Sequence, residues 1–315
     1  MQAINAARAG MQNNGTKGNV RHSLLMQVNE FQKVIKNPIH ALELPAEYWI
    51  FTKYLMQTLG TRLAKVYALE GSANTEVFKA VAANKPKSSK IELWPRKINL
   101  NEFIADYALI LKLNVIWADY CGHPAYVNVK TGEYTFPNMD TFVNFVNESN
   151  SPALYYMTFC CNAMHLKFGV KGLKNALNPA AADIPSAIID KLDALLQQSR
   201  VSHKAKLIFK FAYMGGKAAI TPMLTIGYAV NVKLPAAFPL FNENRLGAPK
   251  ALYQSKAKLT KKAILTLLEK GMTTSDIVHA INVNPMQVAG IRASLTRKAN
   301  AEYADTRGRH CCSCC

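Results

Sequence analysis

An α/β fold with a small all-α appendage is what the sequence predicts, on three observations. Short β-rich runs alternate with helix-period segments, the last two such runs follow one another across a glycine-containing loop, and a compact helical pattern with its own caps lies near the end. Strands alternating with helices imply a parallel sheet covered on both faces. Consecutive strands joined by a short loop imply an antiparallel hairpin. Single cores stop growing near roughly 250–300 residues, so 315 residues hold one main domain and one small module.

The elements follow in order. Residues 1–22 are rich in Gln, Asn, Gly and Ala without a hydrophobic period, so they are assigned no fold and are expected to stay mobile. From Ser23 to Gly60, Leu24, Leu25, Val28, Phe31, Val34 and Ile35, then Tyr48, Trp49, Phe51, Tyr54, Leu55 and Leu59, recur at helical intervals, with Pro38 and Pro45 marking the break. This predicts two helices. Four strand–helix units come next: Lys65–Glu70 before Thr75–Ala83, Lys90–Trp94 before Asn101–Leu111, Asn114–Tyr120 before Met139–Asn147, and Ala153–Cys161 before a further helix. Ser186–Gln198 reads as a helix, and Lys206–Met214 and Met223–Val232 as the hairpin, joined by a loop containing Gly215, Gly216 and Pro222. The expected boundaries are residues 1–22, the α/β domain at 23–235, a linker at 236–258, a helical domain at 259–300 and a Cys-rich tail at 301–315.

This order of elements resembles the core of class I S-adenosylmethionine-dependent methyltransferases from about Tyr48 to Val232. The resemblance implies a Rossmann-like, mostly parallel sheet ending in an antiparallel hairpin, with S-adenosylmethionine as cofactor. It implies that Glu70, closing the strand KVYALE, with Gly71 and Ser72 holds the cofactor ribose, and that Asp119 in IWADYCG begins the catalytic motif. The glycine-rich E/D-x-G-x-G loop is missing, as are the [DNS]-P-P-[YFW] motif and the Pro-Cys pair. Glycines would let the backbone approach a cofactor, so the core is expected to be divergent and catalytically altered, with either S-adenosylmethionine or no cofactor.

The segment Asp119-Tyr120-Cys121-Gly122-His123-Pro124 is the leading candidate site, because ligand crevices in parallel sheets lie at the carboxyl ends of strands. Asp119 can accept a hydrogen bond from a target amine, Tyr120 can stack on a base, and Cys121 is either a nucleophile or a buried packing residue. The bland alternative makes Asp119 a turn cap. Glu70 with Ser72 and Asn74 either holds a ribose or ends a strand and caps the helix at Thr75. His165 stands at a strand end, where an ordinary polar role competes with a ligand contact. The basic loop 83–90, with Arg96 and Lys97, either contacts phosphates or is a solvated loop.

In the appendage, Ala263, Ile264, Leu267 and Leu268 share a face, Gly271 suits the left-handed position after a helix, and Thr273 or Thr274 caps a second helix, Ser275–Ile281. Pro285 opens a third helix whose Val288, Ile291 and Leu295 are expected to face the core. The pattern resembles the helix-turn-helix of resolvase- and homeodomain-like domains. The resemblance implies that Gln287 and Arg292 meet base edges and that Lys261, Arg297 and Lys298 meet phosphates. A three-helix module without DNA contact is the competing reading. The tail 310–315 has adjacent Cys pairs that do not match ordinary zinc spacing, so no metal is assigned; S-acylation or a tail without structural role remain.

The chain carries 38 Lys+Arg against 20 Asp+Glu, a net charge of +18, and such an excess self-repels unless a polyanion relieves it. Nucleic acid, above all double-stranded DNA, is the expected partner. Residues 250–310 alone hold 11 Lys+Arg and 4 Asp+Glu. No membrane association is expected, since no apolar stretch reaches spanning length and the N-terminus lacks an apolar signal core. Cys121, Cys160 and Cys161 in apolar runs fit a reducing cytoplasm, at the nucleoid or at viral DNA. The combined expectation is a DNA-binding protein of phage or plasmid origin with a catalytically altered core. An active DNA or RNA methyltransferase and a charge-driven packaging or assembly protein are the alternatives.

Overall fold

The computed structural model describes residues 15–45, 49–70, 75–94, 98–120, 122–128, 131–161, 169–215, 221–246, 261, 263–269, 271–274, 276–277 and 286–295. The chain divides into two compact units, residues 1–246 and 247–315.

The helices of the first unit are α1 (Gly15–Val34), α2 (Ile50–Leu59), α3 (Thr75–Ala83), α4 (Leu100–Tyr107), α5 (Pro137–Glu148), α6 (Gly169–Leu177) and α7 (Ile184–Gln198). Its strands are β1 (Ile39–Glu43), β2 (Leu63–Ala68), β3 (Ile91–Leu93), β4 (Val115–Ala118), β5 (Tyr126–Val127), β6 (Tyr134–Thr135), β7 (Ala153–Cys160), β8 (Ala205–Gly215), β9 (Thr221–Val230) and β10 (Phe241–Asn244). An eight-stranded sheet has the order β3-β2-β1-β4-β7-β9-β8-β10, and β5 and β6 form a separate antiparallel pair. In the large sheet only β9 runs against its neighbours. The α/β, Rossmann-like sheet with an antiparallel hairpin is therefore present.

Burial explains this sheet. All eight residues of β7 are buried, and its side chains alternate: Tyr155, Met157 and Phe159 pack under α4–α7, whereas Leu154, Tyr156 and Cys160 pack under α1–α3. A strand covered on both faces reads as one continuous apolar run, which is why ALYYMTFCC is legible as a strand. The hairpin needs one glycine. A Cβ on Gly227 would come within 2.3 and 2.6 Å of ring carbons of Tyr156, so the Tyr156 ring of β7 lies over β9 where only glycine leaves room.

Four expectations require correction. Residues 15–22, expected to have no fold, begin α1, where Val20 is fully buried. The break between Pro38 and Pro45 contains β1, a central strand paired in parallel with both β2 and β4. Part of the expected linker 236–258 carries β10, which pairs with β8 and so takes the sheet edge from the hairpin. The β5–β6 pair is an addition to the expected elements. Gln27 on α1 fixes that helix to the hairpin side: its amide donates to the carbonyls of Ile208 and Pro239 at 2.9 and 2.7 Å, and accepts from the Tyr156 hydroxyl at 3.0 Å.

In the second unit, residues 263–269 and 286–295 are helical. Gly271 has φ 76°, and its N–H bonds the Leu268 carbonyl while the Met272 N–H bonds the Leu267 carbonyl, the paired bonds of a Schellman cap. Thr273 and Asp276 then exchange hydrogen bonds, the Thr273 hydroxyl accepting from the Asp276 N–H at 3.2 Å and the Asp276 carboxylate accepting from the Thr273 N–H at 3.2 Å. That is a capping box. Ile264, Ile277 and Val288 form a small core with Leu267, Leu268, Met272 and Ile291 around it. Leu295, expected to join it, is 43% exposed, because its turn of the helix runs past the cluster.

Candidate functional site

At the carboxyl ends of parallel strands the backbone leaves the ladder, and side chains on the last residues surround a shared crevice. Three acids occupy this position: Glu43 ends β1, Glu70 follows β2, and Asp119 follows β4. β1 and β4 are neighbours, which brings Glu43 and Asp119 to the same part of the edge.

Two cations of α1 meet them. The Lys17 ammonium lies 2.7 Å from the Asp119 carboxylate, with both side chains largely buried. Arg21, one helical turn further on, is 7% exposed. Burial pushes its pKa down, while the charges of Asp119 and then Glu43 push it back up. Glu43 is 2% exposed and accepts a hydrogen bond from the Thr52 hydroxyl of α2. Burial lifts its pKa to about 8, against the opposing pull of Arg21 and of a backbone hydrogen bond from Thr52. The first turns of α1 thus lie over the ends of β1 and β4, with Lys17 paired to Asp119 and Arg21 in the field of Asp119 and Glu43. Lys17, Arg21 and Glu43 are not singled out by any sequence motif. The spacing Val20, Leu24, Val28, Phe31 extends the apolar face of α1 upstream and could have found the first two.

Tyr120 is held by the core. Its ring stacks on Phe159 with centroids 5.9 Å apart and planes at 15°. Its hydroxyl donates to Asn101 at 2.9 Å, and the Asn101 amide donates to Asn138 at 2.9 Å. Burial raises its pKa. One ring face and the hydroxyl of Tyr120 are thus engaged between β4, α4 and α5, and the residue is half-buried. Glu70 is half-buried at its strand end. Gly71, Ser72, Asn74, Cys121 and His165 lie outside the described residues, as do Arg96, Lys97, Arg297, Lys298 and the terminal cysteines. Cys160 and Cys161 are buried.

In the second unit Lys261 and Gln287 are exposed. Arg292 donates to the Met272 carbonyl at 2.6 Å, so its guanidinium braces the Schellman turn. A guanidinium has five N–H donors, and this bond leaves its charge intact. Among the described residues no helix is long and apolar enough to cross a membrane.

No family model and no curated protein matches the chain. Solved structures do. A cofactor-bound protein from MTB is 12% identical with a TM-score of 0.41, covering 74% of this chain and 91% of its own. The plantazolicin methyltransferase BpumL in complex with SAH is 11% identical with a TM-score of 0.35, covering 73% and 97%. A protein from Listeria monocytogenes described as a class I S-adenosylmethionine-dependent methyltransferase is 10% identical with a TM-score of 0.42, covering 78% and 70%. The fold assignment rests on the strand order and hairpin described above.

Proposed function

We propose that this chain is a nucleic-acid-binding protein whose methyltransferase-like body is closed at the cofactor crevice and does not transfer methyl groups. The observation that carries this reading is the seating of Lys17 and Arg21 against Asp119 and Glu43.

The residues present do not fit S-adenosylmethionine. Its reactive centre is a sulfonium cation, and two ammonium- and guanidinium-bearing side chains already occupy the acids at the ends of β1 and β4. In a low-dielectric site like charges repel strongly. The chain leaving β1 reads Leu44-Pro45-Ala46-Glu47-Tyr48-Trp49 without a glycine. Trp49, not glycine, takes the left-handed φ of 52° at the entrance to α2, and its fully buried indole donates to the Val81 carbonyl. No chemical step is therefore assigned to the cofactor.

The nucleic-acid half of the proposal rests on the +18 charge, which needs a polyanion to relieve it. Within the second unit, exposed Lys261 and Gln287 and the charge of Arg292 support a duplex contact. A second reading, an active S-adenosylmethionine-dependent methyltransferase, is favoured by one observation, that Glu70 and Asp119 both stand at carboxyl strand ends. One preparation separates the two. Incubated with duplex DNA it is expected to shift the duplex on a native gel. Incubated with duplex or RNA and methyl-labelled S-adenosylmethionine it is expected to transfer no label. Transfer that Asp119→Asn abolishes establishes the second reading instead.

A further inference from the structure

We infer that the α/β unit binds a nucleic-acid phosphate backbone along the edge of the sheet where the strands begin, opposite the crevice. This rests on the nucleic-acid reading above and names the surface.

Seven loops bring the chain into this edge: 35–38, 60–62, 84–90, 108–114, 149–152, 199–204 and, closing it beside β9, 231–240. Together they hold nine Lys and Arg and no Asp or Glu. The loops that leave the strands at the other edge mix four Asp and Glu with six Lys and Arg in the sequence. The entering loops differ in holding cations without acids.

Hydrogen bonds join the entering loops into one surface. Arg62 donates to the carbonyls of Gln32, Ile35, Lys36 and Asn37 at 2.7–3.2 Å. Lys90 reaches the Gly60 carbonyl at 2.9 Å, Lys204 the Asn147 carbonyl at 3.0 Å, and Asn114 the Pro38 carbonyl at 2.9 Å. Every one of these acceptors is neutral, so the cations are positioned without being cancelled. Lys36, Lys87, Lys112 and Arg200 are exposed, and among the described residues none has a carboxylate partner. At mid-edge a cavity of about 260 Å³ opens beside Lys112, His40 and Ser151, wide enough for a phosphate group.

A sheet edge is a line, and a line of positive charge matches a linear polyanion. From β3 to β8 there are six strand intervals, which at about 4.8 Å each span roughly 29 Å. Eight or so base pairs of duplex, at about 3.4 Å per pair, cover the same length. The loops offer no exposed Phe, Tyr or Trp ring, Phe238 being buried and His203 the one exposed imidazole. Single-strand binders use such rings as stacking platforms. The edge therefore tracks phosphates and reads no bases, and it holds the duplex away from Asp119 and Glu70.

The test uses the full chain and a fluorescein-labelled 20-base-pair duplex of arbitrary sequence, with anisotropy read between 50 and 200 mM salt. In the variant Lys36→Gln/Lys87→Gln/Lys112→Gln/Arg200→Gln, the slope of log affinity against log salt is expected to fall by about 0.9 for each phosphate that is no longer neutralised. Affinity at 100 mM salt drops on the order of 100-fold or more. Lys36→Arg/Lys87→Arg/Lys112→Arg keeps wild-type binding, which separates charge from folding damage. Wild-type protein that never binds duplex overturns the nucleic-acid reading itself. Wild-type binding that the Gln variant leaves intact overturns the edge alone. Binding to phosphatidylserine vesicles but not duplex, abolished in Ile110→Asp, makes the edge a membrane surface and also overturns it.

Discussion

The two edges of the sheet use the same kind of residue in opposite ways. Where the strands end, Lys17 and Arg21 are largely buried, Lys17 paired with Asp119 and Arg21 in the field of Asp119 and Glu43. Where the strands begin, Lys36, Lys87, Lys112 and Arg200 stand exposed with no acid in their loops. A buried cation is weak evidence for a ligand, because its partners are already chosen, and removing one partner leaves a charge uncompensated. An exposed row of cations costs little to the fold and leaves its full field for a partner. The contrast teaches that net charge alone does not locate a binding surface, and that burial decides which cations are left for a partner.

The largest effect that tests this contrast belongs to Asp119. Asp119→Asn leaves Lys17 and Arg21 without their shared counter-ion, and urea denaturation is expected to show a loss of about 3–5 kcal/mol. An unchanged midpoint would mean that these charges are solvated and the crevice open. Lys17→Gln removes one charged hydrogen bond from the same group, with an expected loss of about 1.5–3 kcal/mol.

Glu43 sharpens the comparison through pH. Its pKa of about 8 in the folded chain stands above an ordinary unfolded value of about 4.3, so between the two the folded state holds one more proton. Stability then falls as pH rises across that window. Glu43→Gln keeps the neutral form throughout. It is expected to lie nearest wild type at pH 5 and to gain on it steadily as pH rises to 8.5, as read from denaturation midpoints. Smallest is the effect of Lys36→Gln and Lys112→Gln on stability, within about 0.5 kcal/mol of wild type by the same assay. A larger loss at these positions would erase the distinction between the edges.

The outer parts of this picture are legible in the sequence and its centre is hidden. Strands such as β7 and β9 are long apolar runs bounded by turn residues, and the expected bounds of α3 match the structure to the residue. β1 is hidden because IHALE has five residues, two of them polar, between prolines that also mark a break. Without β1, Glu43 has no strand to end, although it closes an apolar run as Glu70 does. The start of α1 is hidden because its buried positions include Arg21, Ser23 and Gln27, polar residues whose burial depends on partners far away in the chain. β10 reads FNEN, an edge strand with one apolar residue, and its pairing with β8 rests on backbone bonds that composition does not report. Asp119 is legible as a strand-end acid. That its partner is a lysine 102 residues earlier is not.

The central claim, that α1 closes the cofactor crevice with its own cations, is tested most directly by isothermal titration of the full chain with S-adenosylmethionine at neutral pH. No binding is expected up to millimolar cofactor. Micromolar binding that Glu70→Ala abolishes would contradict it and make the crevice a working cofactor site.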